Sequence, residues 1–277
     1  MKTQSSKTYL FLIALISAMG GFLFGYDWVV IGGAKPFYEQ FFQIADAPHL
    51  QGWAMSSALL GCLGGALSAG RLSDRWGRKP ILILAAGLFI STSVGTGAVD
   101  SFFAFNVFRL IAIGIASGLS PMYIAEISPA HLRGRFVSIN QLTIVLGILS
   151  AQLMNWLIAE PVAADATGEM IRASWNGQMG WRYMFWVMAV PSLLFFLSGF
   201  VLPESPRWLA SVGQKEKAFK VFTRMGGEEY ARRELEAMTT ATAEEQGGFK
   251  LLWSASMRKV LLLGVVMAVL QQWCGIN

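Results

Sequence analysis

The sequence predicts an all-α, polytopic membrane protein, and three observations support this fold class. Of the 277 residues, 54% are hydrophobic and only 14% are charged, whereas soluble domains have about 25% charged residues. Several uncharged apolar stretches are each close to the length that a membrane span needs, about 20 residues for a bilayer core about 30 Å thick. Short charged segments separate these stretches. The chain is therefore expected to cross the membrane several times.

The apolar stretches predict six complete spans and the start of a seventh. The first span is rich in glycine, which permits close helix packing or a local break in the helix. The predicted spans are residues 9–33, 52–69, 80–99, 102–125, 136–159 and 181–202. Between them we expect a loop at 34–51, a tight turn at 70–79, a charged turn at 126–135 and a polar loop at 160–180. A truncated seventh helix is expected from Val260 to the end of the sequence, at Asn277.

The hydrophilic segment 203–259 predicts a cytoplasmic linker. Two charged stretches, 214–225 and 228–238, are expected to form short helices on either side of Gly226 and Gly227. Residues 239–248 are predicted to be polar and flexible. The predicted organisation is a six-helix bundle over 1–202, the linker over 203–259 and the truncated seventh helix over 260–277.

The distribution of positive charge predicts the orientation. Lysines and arginines concentrate on one side of this topology, in the N-terminal tail and in residues 70–79, 126–135 and 203–259. The other side receives three: Lys35, Arg172 and Arg182. Because loops rich in Lys and Arg remain in the cytoplasm, the N-terminus is predicted to be cytoplasmic. The protein is expected to be multi-pass in a plasma membrane, in a bacterium the inner membrane.

The remaining composition argues against enzyme chemistry. The two histidines are far apart in predicted loops, and Cys62 and Cys274 each lie within an apolar run. No spacing typical of metal ligands or of a nucleophile with its base is present in the sequence. We therefore expect no enzyme activity, metal or cofactor. The net charge of +5 is explained by the cytoplasmic loops, so no nucleic-acid partner is expected.

Two charged residues fall within predicted spans. Asp27 lies in the first span and Arg109 in the fourth, and each is six or seven residues, roughly 10 Å, from the same membrane face. Buried charges in a membrane are costly, so the two are predicted to pair. An arginine partner favours the ionised carboxylate, whereas desolvation favours the neutral form, and this opposition suits a proton switch. The alternative is a purely structural ion pair.

Uncharged amides in apolar helices form a second group of candidates: Gln141, Gln271, Gln272 and Asn277. Each amide both donates and accepts hydrogen bonds, which suits the hydroxyl groups of a sugar. The alternative is that they are interhelical hydrogen-bonding groups without a ligand.

Motifs in five places resemble one family. They are Phe24-Gly25-Tyr26-Asp27 in the first span, Gly70 to Lys79 (GRLSDRWGRK), Pro121 to Pro129 (PMYIAEISP), the pair GWRYMF and PESPRW at either end of the sixth span, and QQWCGIN at the end of the chain. Together they resemble the sugar porter family of the major facilitator superfamily, and bacterial xylose–proton symporters are most similar. The resemblance implies a six-helix N-terminal half of a major facilitator fold and transport of a monosaccharide by alternating access.

The resemblance also implies roles for particular residues. Asp27 corresponds to the proton acceptor of proton-coupled members, with Arg109 as its partner, so the proton would be the coupling ion. Gln141, Gln271, Gln272 and Asn277 match sugar-contacting positions, and Phe24 matches an aromatic residue that packs on the sugar, with a lipid or core contact as the alternative. The family often has a second glutamine where this chain has Ile148, and Gln152 is a possible substitute. An inner-face charge network is expected from Asp74, Arg78, Glu126, Arg133, Glu204 and Arg207, with solvated surface pairs as the alternative.

Two other functions remain open at this stage. A facilitative uniporter would use Asp27 and Arg109 as a structural pair only. A truncated, non-transporting fragment or sensor is the third reading, because family members have twelve spans and alternating access needs the missing C-terminal half. The sequence does not predict which sugar is bound.

Overall fold

The computed structural model describes residues 2–112, 114–244 and 255–273, and within these ranges every regular element is helical. The helices are α1 (Lys2–Phe41), α2 (Pro48–Trp76), α3 (Arg78–Ala98), α4 (Phe102–Ala112), α5 (Gly114–Ile127), α6 (Arg133–Ile158), α7 (Gly168–Ala173), α8 (Trp181–Trp186), α9 (Ala189–Gly199), α10 (Pro206–Ser211), α11 (Lys215–Gly226), α12 (Glu228–Glu244) and α13 (Ala255–Trp273). A short π-helix, Asn176–Gly180, precedes α8. The all-α prediction is therefore confirmed.

Within the described ranges, five segments are long and apolar enough to cross a membrane: Thr8–Phe41, Pro48–Trp76, Arg78–Ala98, Arg133–Ile158 and Asn176–Gly199. The remaining predicted span, the fourth, corresponds to α4 and α5, which lie on either side of residue 113. These segments match the six predicted spans in order along the chain.

The loop predicted at 34–51 was largely wrong, because α1 continues through Lys35 and Pro36 to Phe41. Proline removes one helical hydrogen bond and usually ends a helix in water. Here the residues that follow are held by packing, since Phe37 and Tyr38 are both buried. Proline is tolerated inside membrane helices where neighbouring elements compensate in this way.

The tight turn predicted over residues 70–79 is also shorter than expected. Helix α2 extends to Trp76 and α3 begins at Arg78, so Gly77 alone makes the turn. Its φ angle of 98° lies in the region that favours glycine. The charged residues of the motif therefore extend the ends of two helices and do not form a loop.

The structure divides into two units, residues 1–232 and 233–277. The first unit contains the bundle together with α10 and α11, which contact α5 and α1 respectively. The second contains the end of α12 and α13. Both predicted linker helices are present, as α11 and α12, whereas α10 was not expected. Helix α12 continues to Glu244, so the stretch predicted to be flexible, residues 239–248, begins as a helix. Residues 245–248 lie outside the described part, and the division into three domains remains a prediction.

Helix α1 packs most extensively against α6. Glycines allow the two backbones to touch, because a Cβ atom at Gly25 would overlap the carbonyl of Ile144 and one at Gly147 would overlap the carbonyl of Phe22. This close approach is one of the two uses predicted for the glycines of the first span. The helices differ in how much of their apolar 18-residue stretch is buried inside the protein. The buried share is 22% in α2 and in α6, whereas it is 50% in α1 and in α3.

Candidate functional site

Asp27 on α1 and Arg109 on α4 are the most deeply buried charged residues of the described chain. The structure brings them together: Nη1 of Arg109 donates to both carboxylate oxygens of Asp27 at 3.0 Å each. Their side chains are 3% and 2% exposed, respectively. With so little access to water, each charge depends on the other for its stabilisation.

A cluster of aromatic rings lies between this pair and the end of the bundle at which α1 ends and α2 begins. The ring of Phe185 lies 5.7 Å from the guanidinium carbon of Arg109. Phe105, one turn before Arg109, packs on Phe185 at 5.8 Å and on Tyr38 at 5.2 Å. Phe42 and Trp181 extend the same cluster. The pair therefore lies beneath an apolar layer on that side.

Side-chain hydrogen bonds fix α6 in register with α1. The hydroxyl of Thr143 donates to the carbonyl of Ala18 at 2.7 Å, and the amide of Asn155 donates to the carbonyl of Val30 at 3.2 Å. Both donors come from α6, and their acceptors lie on either side of Asp27 along α1. The buried face of α6 that carries Thr143 and Asn155 is thus held against the segment of α1 that contains Asp27.

The predicted amides differ in what the structure shows of them. Gln141 and Gln152 are both exposed on α6, and their spacing of eleven residues is close to three helical turns, which places them on one face. Ile148 lies between them and is half-buried. Gln271 is exposed on α13. Asn277 and the side chain of Gln272 lie outside the described part of the chain.

Phe24 is half-buried, one turn before Asp27 on α1. It stacks on Trp28 with ring centroids 6.2 Å apart and packs against Ala58 of α2. One side of the ring is therefore fixed by protein, and the rest is accessible for contact with another group.

Arg78 is the centre of a charge cluster at the end of the bundle where α2 meets α3. Its Nε and Nη2 atoms lie 3.0–3.2 Å from the carboxylate of Glu126 on α5. Its Nη1 lies 2.8 Å from Oδ1 of Asp74 and donates to the carbonyl of Ser73 at 2.9 Å. All three guanidinium nitrogens thus have acceptors. We call Asp74, Arg78, Glu126 and Glu204 the α2–α3 charge cluster.

Glu204 joins this cluster through the backbone. Its Oε1 accepts from the backbone N–H groups of Arg78 at 2.8 Å and Lys79 at 3.1 Å, which are the first two residues of α3. A carboxylate at this position satisfies free donors at the start of the helix and interacts favourably with its dipole. Gly77 makes the approach possible, since a Cβ atom there would overlap Oε2 of Glu204.

Two residues expected in the network are not ion-paired within the described part of the chain. Nε of Arg133 donates to the backbone carbonyl of Ala125 at 3.0 Å, and Arg207 is exposed on α10. Sequence reasoning missed Ser205, whose hydroxyl donates to Oε2 of Glu126 at 2.5 Å. The Ser-Pro sequence indicates a helix start, but nothing in it indicates a partner on α5.

Arg182 is a further residue that sequence reasoning counted only as an outer cation. It is 7% exposed, and its Nη1 donates to the carbonyls of Gly97, near the end of α3, and of Val99, the residue after α3, at 2.9 and 2.8 Å. Its Nη2 lies 2.6 Å from Oδ1 of Asp100. Arg182, at the start of the sixth span, therefore supplies hydrogen-bond donors to the carbonyls at the C-terminal end of the third span.

Comparison with known proteins identifies the family. The model for the family described as "Sugar (and other) transporter" matches residues 13–277. This chain belongs to the sugar transporter family.

Among the described residues, no group of three or more His, Cys, Asp or Glu side chains is placed to hold a metal ion.

Curated sugar transporters align with the whole chain. A glucose transport protein of Synechocystis is 39% identical over 281 residues, and the D-xylose-proton symporter of Escherichia coli K12 is 35% identical over 306 residues. Each alignment covers 100% of this chain but 59% and 60% of the relative. The chain thus spans about 60% of the length of the curated relatives it matches.

A solved structure of a sugar transporter supports the same fold. The proton:xylose symporter XylE of the major facilitator superfamily, from E. coli, bound to 6-bromo-6-deoxy-D-glucose, is 34% identical and superposes with a TM-score of 0.86. The match covers 98% of this chain and 61% of that one. The chain therefore has the fold of part of a major facilitator transporter, as the sequence predicted.

Proposed function

We propose that this chain forms the N-terminal half of a monosaccharide transporter that works by alternating access and couples uptake to a proton. Asp27 is the proton acceptor and Arg109 is its partner. The N-terminus and the α2–α3 charge cluster are cytoplasmic, and the protein is a multi-pass protein of the bacterial inner membrane. A C-terminal half is required for the transport cycle.

The observation that supports coupling is the buried ion pair. Asp27 and Arg109 sit on different helices at membrane depth, and the arginine gives a single nitrogen to both carboxylate oxygens. Ionisable residues inside a membrane protein are costly and commonly mark ion or proton pathways. Protonation of Asp27 would remove the negative charge that holds Arg109, and so would loosen α1 from α4. The D-xylose-proton symporter is a relative by sequence, which supports the same proposal.

The exposed face of α6 supports a sugar site next to this pair. Gln141 and Gln152 are exposed on an apolar membrane helix, where contact with lipid would leave their amides without hydrogen-bond partners. A water-filled cavity facing the other half of a transporter removes that cost. The low buried fraction of α2 and α6 suits helices that line such a cavity. We assign Gln141 to sugar hydroxyls, Phe24 to the apolar side of the sugar, and Gln271, Gln272 and Asn277 to the site from the seventh span.

A facilitative uniporter is the alternative, in which Asp27 and Arg109 only hold α1 to α4. The geometry of the pair also fits this alternative, because each of the two buried charges is neutralised by the other. The two functions differ in whether a proton gradient drives accumulation.

The deciding experiment measures uptake of labelled glucose and xylose into vesicles that contain a chain completed by a C-terminal half. Sugar is measured with and without an imposed pH gradient, acidic outside. We expect accumulation above the external concentration only with the gradient. Equilibration to the same level in both conditions would favour the uniporter, and no uptake in either would contradict transport of these sugars.

A further inference from the structure

Helix α4 contains two buried polar atoms that find no hydrogen-bond partner in the described part of the chain: Oδ1 of Asn106 and Nε of Arg109. Asn106 is 5% exposed and Arg109 is 2% exposed. The amide nitrogen of Asn106 donates to the carbonyl of Phe102 at 2.8 Å, which leaves its oxygen as the uncommitted end. A buried acceptor without a partner is destabilising, so its presence here needs a reason.

The two atoms complement each other, one being an acceptor and the other a donor. Asn106 and Arg109 are three residues apart on α4, and side chains at this spacing are neighbours on a helix surface. In the present structure the guanidinium is directed to Asp27 through Nη1. That contact leaves Nε without an acceptor in the described part of the chain, and the spacing of three residues places the Asn106 side chain next to the arginine on the surface of α4.

We infer that Asn106 is a positioning residue that accepts a hydrogen bond from Arg109 when Asp27 takes up a proton. The inference rests on the proposed proton coupling. A proton that binds a carboxylate oxygen of Asp27 neutralises it, and Arg109 stays charged, buried and in need of an acceptor. Among the described residues of α4, Oδ1 of Asn106 is the buried acceptor that remains. When the proton leaves Asp27, the guanidinium returns to the carboxylate and Oδ1 is free again.

Among the described residues, no further charged side chain at this depth is available to Arg109. The membrane-depth parts of α2 and α3, residues 52–69 and 80–98, contain no charged residue. On α1, Tyr26 adjoins Asp27 in the sequence, and its hydroxyl donates to the carbonyl of Met184 at 3.4 Å. Beyond Asp27 the next ionisable groups on α1 are the Lys35–Glu39 pair, which begins eight residues further on, and Tyr38. Arg182, from α8, is committed to Asp100 and to the end of α3. We therefore assign the exchange to Asp27, Arg109 and Asn106.

The first test is a structure of the Asp27→Asn variant, which imitates the protonated carboxyl. We expect a guanidinium nitrogen of Arg109 within about 3.2 Å of Oδ1 of Asn106. An arginine that stays on residue 27, with Asn106 still unpartnered, would overturn the inference. This test does not depend on transport, so it separates the inference from the proposed function.

The second test compares Asn106→Leu with Thr92→Val in a chain completed by a C-terminal half. Thr92 is a matched control, since it is buried on α3 and its hydroxyl bonds only to its own helix. Sugar counterflow reports binding and alternation without net proton movement, whereas accumulation under a pH gradient reports coupling. We expect Asn106→Leu to lower the ratio of accumulation to counterflow by about fivefold or more, the equivalent of one lost hydrogen bond, and Thr92→Val to leave it unchanged.

An unchanged ratio in Asn106→Leu, or an equal fall in Thr92→Val, would contradict the inference. Asn106→Gln retains an amide oxygen and should restore part of the ratio. If the unaltered protein shows no accumulation under the gradient, it is the proposed coupling that fails, and the structure of Asp27→Asn still decides whether Asn106 receives the arginine.

Discussion

The Asp27–Arg109 pair and the α2–α3 charge cluster both join helices through an arginine, but they do so in opposite ways. Arg78 uses all three guanidinium nitrogens, on two carboxylates and a backbone carbonyl. Arg109 gives one nitrogen to one carboxylate and leaves Nε without an acceptor in the described chain. The side chain of Asp74 in the cluster is 69% exposed, whereas that of Asp27 is 3% exposed.

The difference indicates which contact can act as a switch. In the cluster, Arg78 keeps other hydrogen-bond acceptors when one partner is lost. The contact is therefore redundant, as expected of one that holds helices together. In the buried pair, one proton on Asp27 removes the main stabilisation of Arg109 at a single step. Breaking a buried pair is costly because it leaves an uncompensated charge. We therefore expect the two regions to respond differently to the same kind of substitution.

The largest effect on stability is expected from Arg109→Met. It leaves the carboxylate of Asp27 buried without a counter-charge and should lower the free energy of unfolding by about 3–5 kcal/mol. The double change Arg109→Met with Asp27→Asn should recover most of this loss, because no buried charge remains. Unfolding in detergent micelles measures both. A double variant as unstable as the single one would show that the charge of Asp27 is not the cause.

A smaller effect is expected from Gly77→Ala, which tests how closely Glu204 approaches α3. Gly213→Ala is the matched control, since Gly213 also has a positive φ angle, 81°, but has open space around the position of a Cβ atom. Both changes strain the backbone, by about 1–2 kcal/mol. Only Gly77→Ala displaces Glu204 from the first turn of α3, so it should cost about 1 kcal/mol more. Equal losses in the two variants would mean that the carboxylate contact contributes nothing measurable.

The smallest effect that should still be measurable is that of Glu126→Gln in the α2–α3 charge cluster. Arg78 keeps Asp74 and the carbonyl of Ser73, so the loss in unfolding free energy should be about 1–2 kcal/mol. Arg207→Ala, on an exposed residue outside the cluster, should change it by no more than about 0.5 kcal/mol. A loss from Glu126→Gln as large as that from Arg109→Met would remove the distinction between a redundant and an exclusive contact.

Sequence reasoning reached the spans and the pairing of Asp27 with Arg109 because both follow from simple rules. Apolar length predicts spans, and two charges at equal depth in apolar helices have few partners other than each other. The ends of the helices were harder to predict. Lys35 and Pro36 indicate a loop by local rules, yet the burial of Phe37 and Tyr38 keeps α1 helical.

The remaining contacts depend on residues far apart in the chain. Glu204 accepts from the backbone of Arg78, 126 positions away, and Ser205 donates to Glu126, 79 positions away. No local pattern indicates such partners, because they are set by how the helices pack. The same holds for Asn106. Nothing in the sequence around it indicates a function, and only the structure shows that its side-chain oxygen is buried without a donor in the described part of the chain.

The most direct test of proton coupling is transport by the Asp27→Asn variant, in a chain completed by a C-terminal half. Asparagine preserves size and hydrogen-bonding capacity but cannot titrate. Uptake of labelled sugar is measured with and without an imposed pH gradient, and counterflow is measured in the same vesicles. We predict that the variant retains counterflow, because Gln141 and Phe24 are unaltered, and loses accumulation driven by the gradient. Accumulation equal to that of the unaltered protein would contradict the assignment of Asp27 as the proton acceptor.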